Sequence, residues 1–363
     1  MLKNRNGFST MTTTYDTALF IGRFEPVHNG HMALLQHALA CAKEVIVVVG
    51  SAWQGRSPKN PFTWQERESM LRAAVTETLG AADSARLRIL PVRDYYNQAR
   101  WVNAVRQGVA AHTSASSRIA LVGHFKDATS SYLSAFPGWA LIDLPRQGPT
   151  DATQLRDAYF GAAPGDLGHA MASVAPHMPA STLAFLQQFA QQPDYAALQE
   201  EWRMLRSYRQ AWATAPYPPV FVTVDAVLRC QNQVLLIRRA HAPGKGQLAV
   251  PGGFIEQRET LWQSCLRELT EETHCNLPEA TLAAALQATA VFDHPDRSQR
   301  GRTITHAHYF DLGNQPLPNV QADDDAAEVV WLPLADLPAM EPLFFEDHFH
   351  MLDHFFGVTG QGV

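Results

Sequence analysis

Apolar residues in the first 160 positions fall into short continuous runs separated by longer amphipathic stretches. Residues 18–21 form one such run, which leads through a polar, glycine-containing turn into a helical stretch at 32–42; a second run, 44–50, follows at once. Strand, helix and strand within about 35 residues is the spacing of a βαβ unit. The alternation continues with a helix near 66–79, a strand at 87–92, a helix near 101–111, a strand at 118–122 and a short strand at 140–143. Strands that are apolar throughout, instead of at alternate positions, are buried on both faces. The pattern therefore predicts an α/β domain on a parallel sheet.

Residues 161–215 change character. Leu183, Leu186 and Phe189, then Trp202, Leu205, Tyr208 and Trp212, recur at helical spacing and predict helices with one apolar face. The string Ala215-Pro216-Tyr217-Pro218-Pro219 is a stiff breaker, and a strand pattern over 220–228 follows it. The expected organisation is a disordered lead-in (1–17), a first domain (18–160), a helical extension or linker (161–215) and a second domain (216–363). No internal repeat is present.

Length and composition agree with two domains. The chain has 363 residues, 46% of them hydrophobic, and a domain takes roughly 100–200. No segment approaches the ~18 consecutive apolar residues of a membrane span, and the Thr- and Asn-rich start lacks the apolar core of a secretory signal. Cys41, Cys230, Cys265 and Cys275 occur singly, without the spacing of a disulfide framework. A cytoplasmic protein is expected, with no membrane or nucleic-acid partner; a homo-oligomer is left open. The net charge of −6 divides unevenly, with 17 Lys+Arg against 12 Asp+Glu in residues 1–160 and 12 against 23 in the remainder. A basic front suits polyphosphate and an acidic back suits divalent cations, although ordinary solvated surface accounts for the split equally well.

The string Gly22-Arg23-Phe24-Glu25-Pro26-Val27-His28-Asn29-Gly30-His31 stands where the first strand hands over to the first helix. Helix N-termini at the carboxyl ends of parallel strands offer unpaired N–H groups to phosphate. His28 and His31 add imidazole donors for charge developing on a transferring phosphoryl group. The segment resembles the HxGH signature of the nucleotidyltransferase superfamily, which implies a Rossmann-like domain. Lys59-Asn60-Pro61-Phe62-Thr63-Trp64-Gln65-Glu66-Arg67 resembles the element with which nicotinamide mononucleotide (NMN) adenylyltransferases bind that nucleotide. Arg93-Asp94-Tyr95-Tyr96-Asn97, followed by Trp101, is similar to their nicotinamide and ribose contacts. The resemblance implies Asn60, Phe62, Thr63, Arg67, Asn97 and Trp101 for NMN. For ATP and its phosphates it implies Gly22, Arg23, Phe24, Gly30, Gly123, Lys126, Asp127, Thr153 and Arg156. Read alone, Trp101 fits a core position, and Thr63 with Glu66 fits a helix-capping box. The second superfamily signature is partial: Thr150-Asp151-Ala152-Thr153-Gln154-Leu155-Arg156 keeps Thr153 and Arg156, but places Asp151 where the pattern has Ser. The implied reaction is attack of the NMN 5′-phosphate on the α-phosphorus of ATP, giving NAD+ and pyrophosphate, with His28, His31 and Arg156 catalytic.

Gly253, Glu259 and Arg267-Glu268-Leu269-Thr270-Glu271-Glu272 fit the Nudix box, GX5EX7REUXEEXGU. On a helix, positions 268, 271 and 272 share one face, where three carboxylates repel unless a cation lies among them. Hard oxygen donors suit Mg2+ or Mn2+, and that ion is expected at both sites. The resemblance to Nudix hydrolases implies an α/β/α sandwich. It implies metal binding or base catalysis by Glu268, Glu271 and Glu272 with Gly253, supported by Gly252, Glu259 and Arg267. His274 replaces the box glycine, a departure placed at the end of the helix. Residues from 216 to about 345 resemble the Nudix half of the bifunctional adenylyltransferase/hydrolase family. That implies ADP-ribose as substrate, cut to AMP and ribose 5-phosphate, with Phe292, Arg300 and Arg302 as candidate contacts. A Nudix domain acting as a nucleotide sensor, another nucleoside diphosphate, a pterin or a nucleoside triphosphate remain alternatives. His306 with His308, the histidines at 348, 350 and 354, and residues 323–325 read as packing or surface.

Overall fold

The computed structural model describes residues 14–124, 133–145, 151–163 and 165–360. The chain divides into two compact units, one holding the described residues of Met1–Trp53 and Pro58–Ala196, the other those of Gln54–Ser57 and Ala197–Val363. By contact, the main division falls between Ala196 and Ala197, inside a helix. The stretch 161–215 is therefore shared between the units.

In the first unit the elements are β1 (Tyr15–Gly22), α1 (Asn29–Cys41), β2 (Ala42–Val49), α2 (Trp64–Leu79), α3 (Ala81–Ala85), β3 (Leu87–Pro91), α4 (Gln98–Ala110), β4 (Ile119–Gly123) and β5 (Ala140–Asp143). These are followed by α5 (Ala152–Phe160), α6 (Leu167–Val174), α7 (Ala180–Phe189) and the start of α8 (Pro193–Ala211). The strands are all parallel, in the order β3-β2-β1-β4-β5. The chain moves outward from β1 to β3 and returns past β1 to β4, so the direction of winding reverses between β1 and β4. Ligand crevices form at such a switch point, outside the carboxyl ends of the strands. Gly22 and Gly123 end those two strands.

Strand β1 begins at Tyr15, which pairs with Ala42, so Tyr15–Thr17 belong to the sheet and not to a lead-in. Their polar side chains hide the strand from a hydrophobicity reading. Asp16 sits at the sheet margin, where its carboxylate takes the Lys43 ammonium at 2.8 Å and the Arg118 N–H at 2.9 Å. Inside, Ala18, Leu19, Val45, Ile46, Val47, Val48 and Leu121 are at most 1% exposed, as parallel strands covered on both faces require.

The second unit continues α8 and contains β6 (Val220–Cys230), β7 (Gln233–Arg239), β8 (Leu248–Ala249), β9 (Gly252–Phe254), α9 (Leu261–Thr273), α10 (Glu279–Ala285), β10 (Leu286–Phe292), β11 (Arg302–Asp311), β12 (Ala326–Pro333), α11 (Leu337–Met340) and α12 (His348–Phe356). Its mixed sheet runs β10-β11-β6-β7-β12, with β8 on β7 and β9 on β6. Alternation along β6 sets the layers. Val224, Ala226 and Leu228 pack with Cys265 and Leu269 of α9, whereas Val227 packs with Phe349, Met351 and Leu352 of α12. Successive side chains of a strand point to opposite faces, and a helix on each face makes the expected α/β/α sandwich. Among the described residues, no helix is long and apolar enough to cross a membrane.

Candidate active sites

His28 is the N-cap of α1, and with His31 it closes an unusual capping box. His28 Nδ1 accepts the Gly30 N–H at 3.1 Å, and His31 Nδ1 accepts the His28 N–H at 3.3 Å. The rings stack with centroids 3.7 Å apart. Burial pushes His28 down to about 4 and His31 well below the ordinary imidazole range, His28 adding to the effect on His31. Both rings are therefore neutral at pH 7. A ring nitrogen that accepts carries no proton, so each ring holds its proton on Nε2. The backbone thus sets both histidines as Nε2–H donors at the N-terminus of a helix, where anions are favoured.

Beneath this turn lies a buried charge cluster. Glu25 is 1% and Arg67 0% exposed. Arg67 Nη1 donates to the carbonyls of Arg23 (2.9 Å) and Gly50 (2.8 Å), Nη2 to Ser51 O (3.1 Å) and Nε to Thr63 O (3.3 Å). Nη1 has both protons engaged, so its approach to Glu25 Oε1 at 3.2 Å is an ion pair without a hydrogen bond. The other Glu25 oxygen accepts the Phe62 N–H at 3.1 Å. Burial raises the Glu25 carboxyl to about 7 against the pull of Arg67 and Arg156. Arg156 Nη1 donates to Glu25 O at 2.6 Å and Nη2 to Thr153 Oγ1 at 3.3 Å. Desolvation lowers Arg156 to about 10, which leaves it cationic at neutral pH. Three cations, Arg23, Arg67 and Arg156, act on the single carboxylate of Glu25.

Arg67 is accordingly a clamp joining the ends of β1 and β2 to the start of α2. A lysine keeps the charge but cannot reach four carbonyls from one nitrogen. Arg67→Lys is expected to cost about 1–3 kcal/mol of stability in urea unfolding, the scale of an abandoned buried polar group. A variant of unchanged stability with only a raised KM for NMN would restore the direct-contact reading.

In the second unit Arg267 gathers the box carboxylates. Its Nε meets Glu259 Oε2 at 3.0 Å, Nη1 meets Glu268 Oε1 and Glu271 Oε2 at 2.8 Å each, and Nη2 donates to Phe254 O at 3.1 Å. Glu259 also accepts the Ser264 hydroxyl at 2.7 Å. Glu272, 2% exposed, accepts the Gly252 N–H at 2.8 Å. Burial, with Glu268 and Asp225 adding to it, raises its carboxyl to about 8. A Cβ on Gly253 would lie 2.5 Å from Glu268 Oε1, so glycine there lets the carboxylate rest against the main chain. His274 ends α9 in the left-handed region (φ 49°, ψ 27°), and its Nε2 lies 2.8 Å from Asp323 Oδ2. It performs the glycine's turn and leaves the carboxylates undisturbed.

The donor set fits a hard divalent cation: acidic oxygens on one helix face, with burial and mutual repulsion raising Glu268 and Glu272. The side chains are not gathered into a cage, however. Glu271 is held by Arg267 and Glu272 by Gly252, and among the described residues no three His, Cys, Asp or Glu groups stand together as a metal site. A pH dependence follows for the metal-free protein. Glu272 rises from 4.5 in the open chain to about 8 when folded, so its neutral form is the one the fold favours. Its contribution is present at low pH and is lost as pH rises through 8. Asp225, raised to about 6, and Glu201, raised to about 7, act in the same direction, whereas His348, held well below 6.5, opposes them once the unfolded chain begins to protonate. In chelator, the unfolding temperature of the second unit should climb as pH falls from 8 to 6.5 in calorimetry. A flat or descending profile would contradict this balance.

Comparison with known proteins finds a family match for each unit. The Nudix domain model matches residues 219–355 and the cytidylyltransferase-like model residues 19–127. A nicotinamide/nicotinic acid mononucleotide adenylyltransferase of Acinetobacter baylyi is 37% identical over 190 residues, 52% of this chain and 94% of that protein. An ADP-ribose pyrophosphatase of Methanocaldococcus jannaschii is 34% identical over 119 residues, 33% of this chain and 65% of that protein. The crystal structure of a bifunctional NMN adenylyltransferase/ADP-ribose pyrophosphatase from Francisella tularensis, complexed with AMP and a Mn ion, is 34% identical; the match covers 93% of this chain and 97% of that one, with a TM-score of 0.84. The chain belongs to this bifunctional family.

Within the family frame, several residues expected as ligand contacts have other work. Phe24 is 1% exposed and packs on Phe20 and His31, so its side chain is core and not a phosphate contact. Phe62, 3% exposed, packs edge-on against Phe185 and Phe189 and is not an NMN platform. Thr63 caps α2 in a box with Glu66, and Asn97 caps α4. Trp101, partly buried, packs edge-on against Phe136. Phe292 packs against His354 and Phe355, and Arg302 Nη1 donates to the Asp293 carbonyl. Asp151, the departure from the second signature, is the N-cap of α5, where Gln154 N–H binds it at 3.0 Å. Lys126 and Asp127 lie outside the described residues. The motif strings do not single out Glu25 or Asp225; Asp225, 4% exposed in β6, accepts the Thr305 hydroxyl, and its signal was a carboxylate inside an apolar strand.

Proposed function

We propose that the first unit transfers AMP from ATP to NMN, giving NAD+ and pyrophosphate, and that the second hydrolyses ADP-ribose to AMP and ribose 5-phosphate. The observation that carries the reading is the presence on one chain of the doubly locked histidine pair at the β1–β4 switch point and the Arg267-centred carboxylate helix.

In the transfer, an oxygen of the NMN phosphate forms a bond to the α-phosphorus of ATP as the bond to pyrophosphate breaks. No side chain is modified, so orientation and charge must lower the barrier. His28 and His31 donate from Nε2 to the phosphate oxygens, and Arg23 and Arg156 hold the triphosphate. Asn60 stands on the NMN side, with Gly22, Gly30, Gly123 and Thr153 shaping the phosphate turn.

In the hydrolysis, Glu268, Glu271 and Glu272 would hold Mg2+ or Mn2+ with the Gly253 carbonyl, while Arg267 and Glu259 orient them. A divalent ion held there would supply Lewis-acid chemistry to the diphosphate and to water, and one would accompany ATP at the first site. Arg300, whose guanidinium lies 5.0 Å over the Phe254 ring, offers a cation to an anionic substrate. Purified protein should form NAD+ from NMN and ATP and, separately, AMP from ADP-ribose with Mg2+. Silence in either assay refutes that half.

A further inference from the structure

Glu201 lies in α8, ahead of residues 219–355, the stretch that the Nudix model matches. It is 8% exposed, and its Oε2 accepts the Gly244 N–H at 3.0 Å. The turn it reaches joins β7 to β8. Gly244 there has a φ of +74°, and a Cβ would lie 2.2 Å from the Phe345 ring, so this turn has little freedom to shift. Arg239, at the end of β7, is tied to the same turn. Its Nε donates to the Pro243 carbonyl at 2.8 Å, and its guanidinium lies 4.4 Å over the Phe345 ring. Arg239 in turn attracts Glu272 and Glu346.

We propose that Glu201 is a positioning residue of the hydrolase site: by holding the Gly244 amide it sets the turn that anchors Arg239 through the Pro243 carbonyl and leads by way of β8 to Gly252, whose N–H holds Glu272. This rests on the hydrolase reading above and extends that site into a helix outside the Nudix match. Glu201 touches no reacting atom. Burial raises its carboxyl to about 7, so near neutrality the acceptor oxygen is its main contribution, and a glutamine oxygen can replace it. A residue that acts through Arg239 must also be energetically dependent on it, because groups in one network are non-additive.

The test uses the full chain, ADP-ribose with Mg2+, and the transferase reaction as an internal control. Glu201→Ala is expected to lower kcat/KM for ADP-ribose by roughly tenfold or more, the scale of losing a group that orients metal-site residues, with adenylyl transfer unchanged. Glu201→Gln should restore most of the loss. Arg239→Ala should be impaired at least as much as Glu201→Ala, and the double variant should be no worse than Arg239→Ala alone. If alanine at 201 prevents folding, Glu201→Asp, whose shorter side chain withdraws the acceptor, takes its place in the cycle. Undiminished hydrolysis in Glu201→Ala, a glutamine variant as impaired as alanine, or losses that multiply in the double variant would each overturn the proposal. A wild-type protein that leaves ADP-ribose intact would overturn the hydrolase reading itself, and this inference with it.

Discussion

His31→Ala should lower kcat for NAD+ synthesis by roughly 10²-fold or more, the scale of removing one donor from a transition state, while the protein remains folded. The ring does three things: its Nδ1 accepts the His28 N–H, its face stacks on His28, and its Nε2–H is left for phosphate. Alanine removes all three. The structural loss is limited, because a broken cap costs about 0.5–2 kcal/mol, and α1 still buries Met32, Leu35, Ala38 and Leu39. Steady-state kinetics with NMN and ATP, alongside a melting curve, separate the two effects. Near-normal turnover would sink the role assigned to the histidine pair. A collapse in melting temperature would instead make the box structural first.

Glu272→Gln should abolish most ADP-ribose hydrolysis, by about 10²–10⁴-fold, and stabilise the metal-free second unit. The amide matches the carboxylate in shape, and its oxygen can accept the Gly252 N–H that Glu272 now holds at 2.8 Å. It cannot offer an anionic oxygen to a cation. Glu272 is a buried carboxylate whose proton affinity is raised to about 8, and desolvating such a charge opposes folding until a cation compensates it. The neutral amide escapes that cost. In chelator, the variant should melt higher than wild type at pH 8, and the rise in melting temperature on acidification should flatten; with saturating Mg2+ the wild type should recover relative to it. Adenylyl transfer serves as the control. Full hydrolase activity in this variant would remove Glu272 from the site, and an unchanged pH profile would remove its buried charge from the stability balance.

Much of this was legible from the chain because the chemistry is local. HxGH and the Nudix box each place their groups within one or two helical turns, so spacing alone brings His28 to His31, and Glu268 to Glu271 and Glu272. The helix end at His274 followed from the same logic, since the left-handed residue after α9 is a local requirement. Errors clustered where a residue's neighbours come from far along the sequence. Phe62 meets Phe185 and Phe189 of α7, and Arg67 meets carbonyls of Arg23, Gly50 and Ser51. Nothing in the motif string distinguishes a side chain that faces a nucleotide from one that faces a helix more than a hundred positions away. The strand at Tyr15–Thr17 was lost for a related reason: polar residues at a sheet margin take partners from β2 and β4 and not from an apolar core.

By itself the sequence determined most of the element order and the parallel sheet of the first unit, and the two catalytic strings, because strand and helix periodicity and motif spacing are short-range properties; the sandwich of the second unit followed from resemblance. Folding of the turn before α1 decided which nitrogen of each histidine carries the proton, because backbone N–H groups there donate to both Nδ1 atoms. Tertiary structure decided that Arg67 and Glu25 form a buried clamp and that Glu201 reaches the Gly244 turn. Burial and proton affinity arise from the summed surroundings of a group, and those surroundings exist only once distant segments have packed.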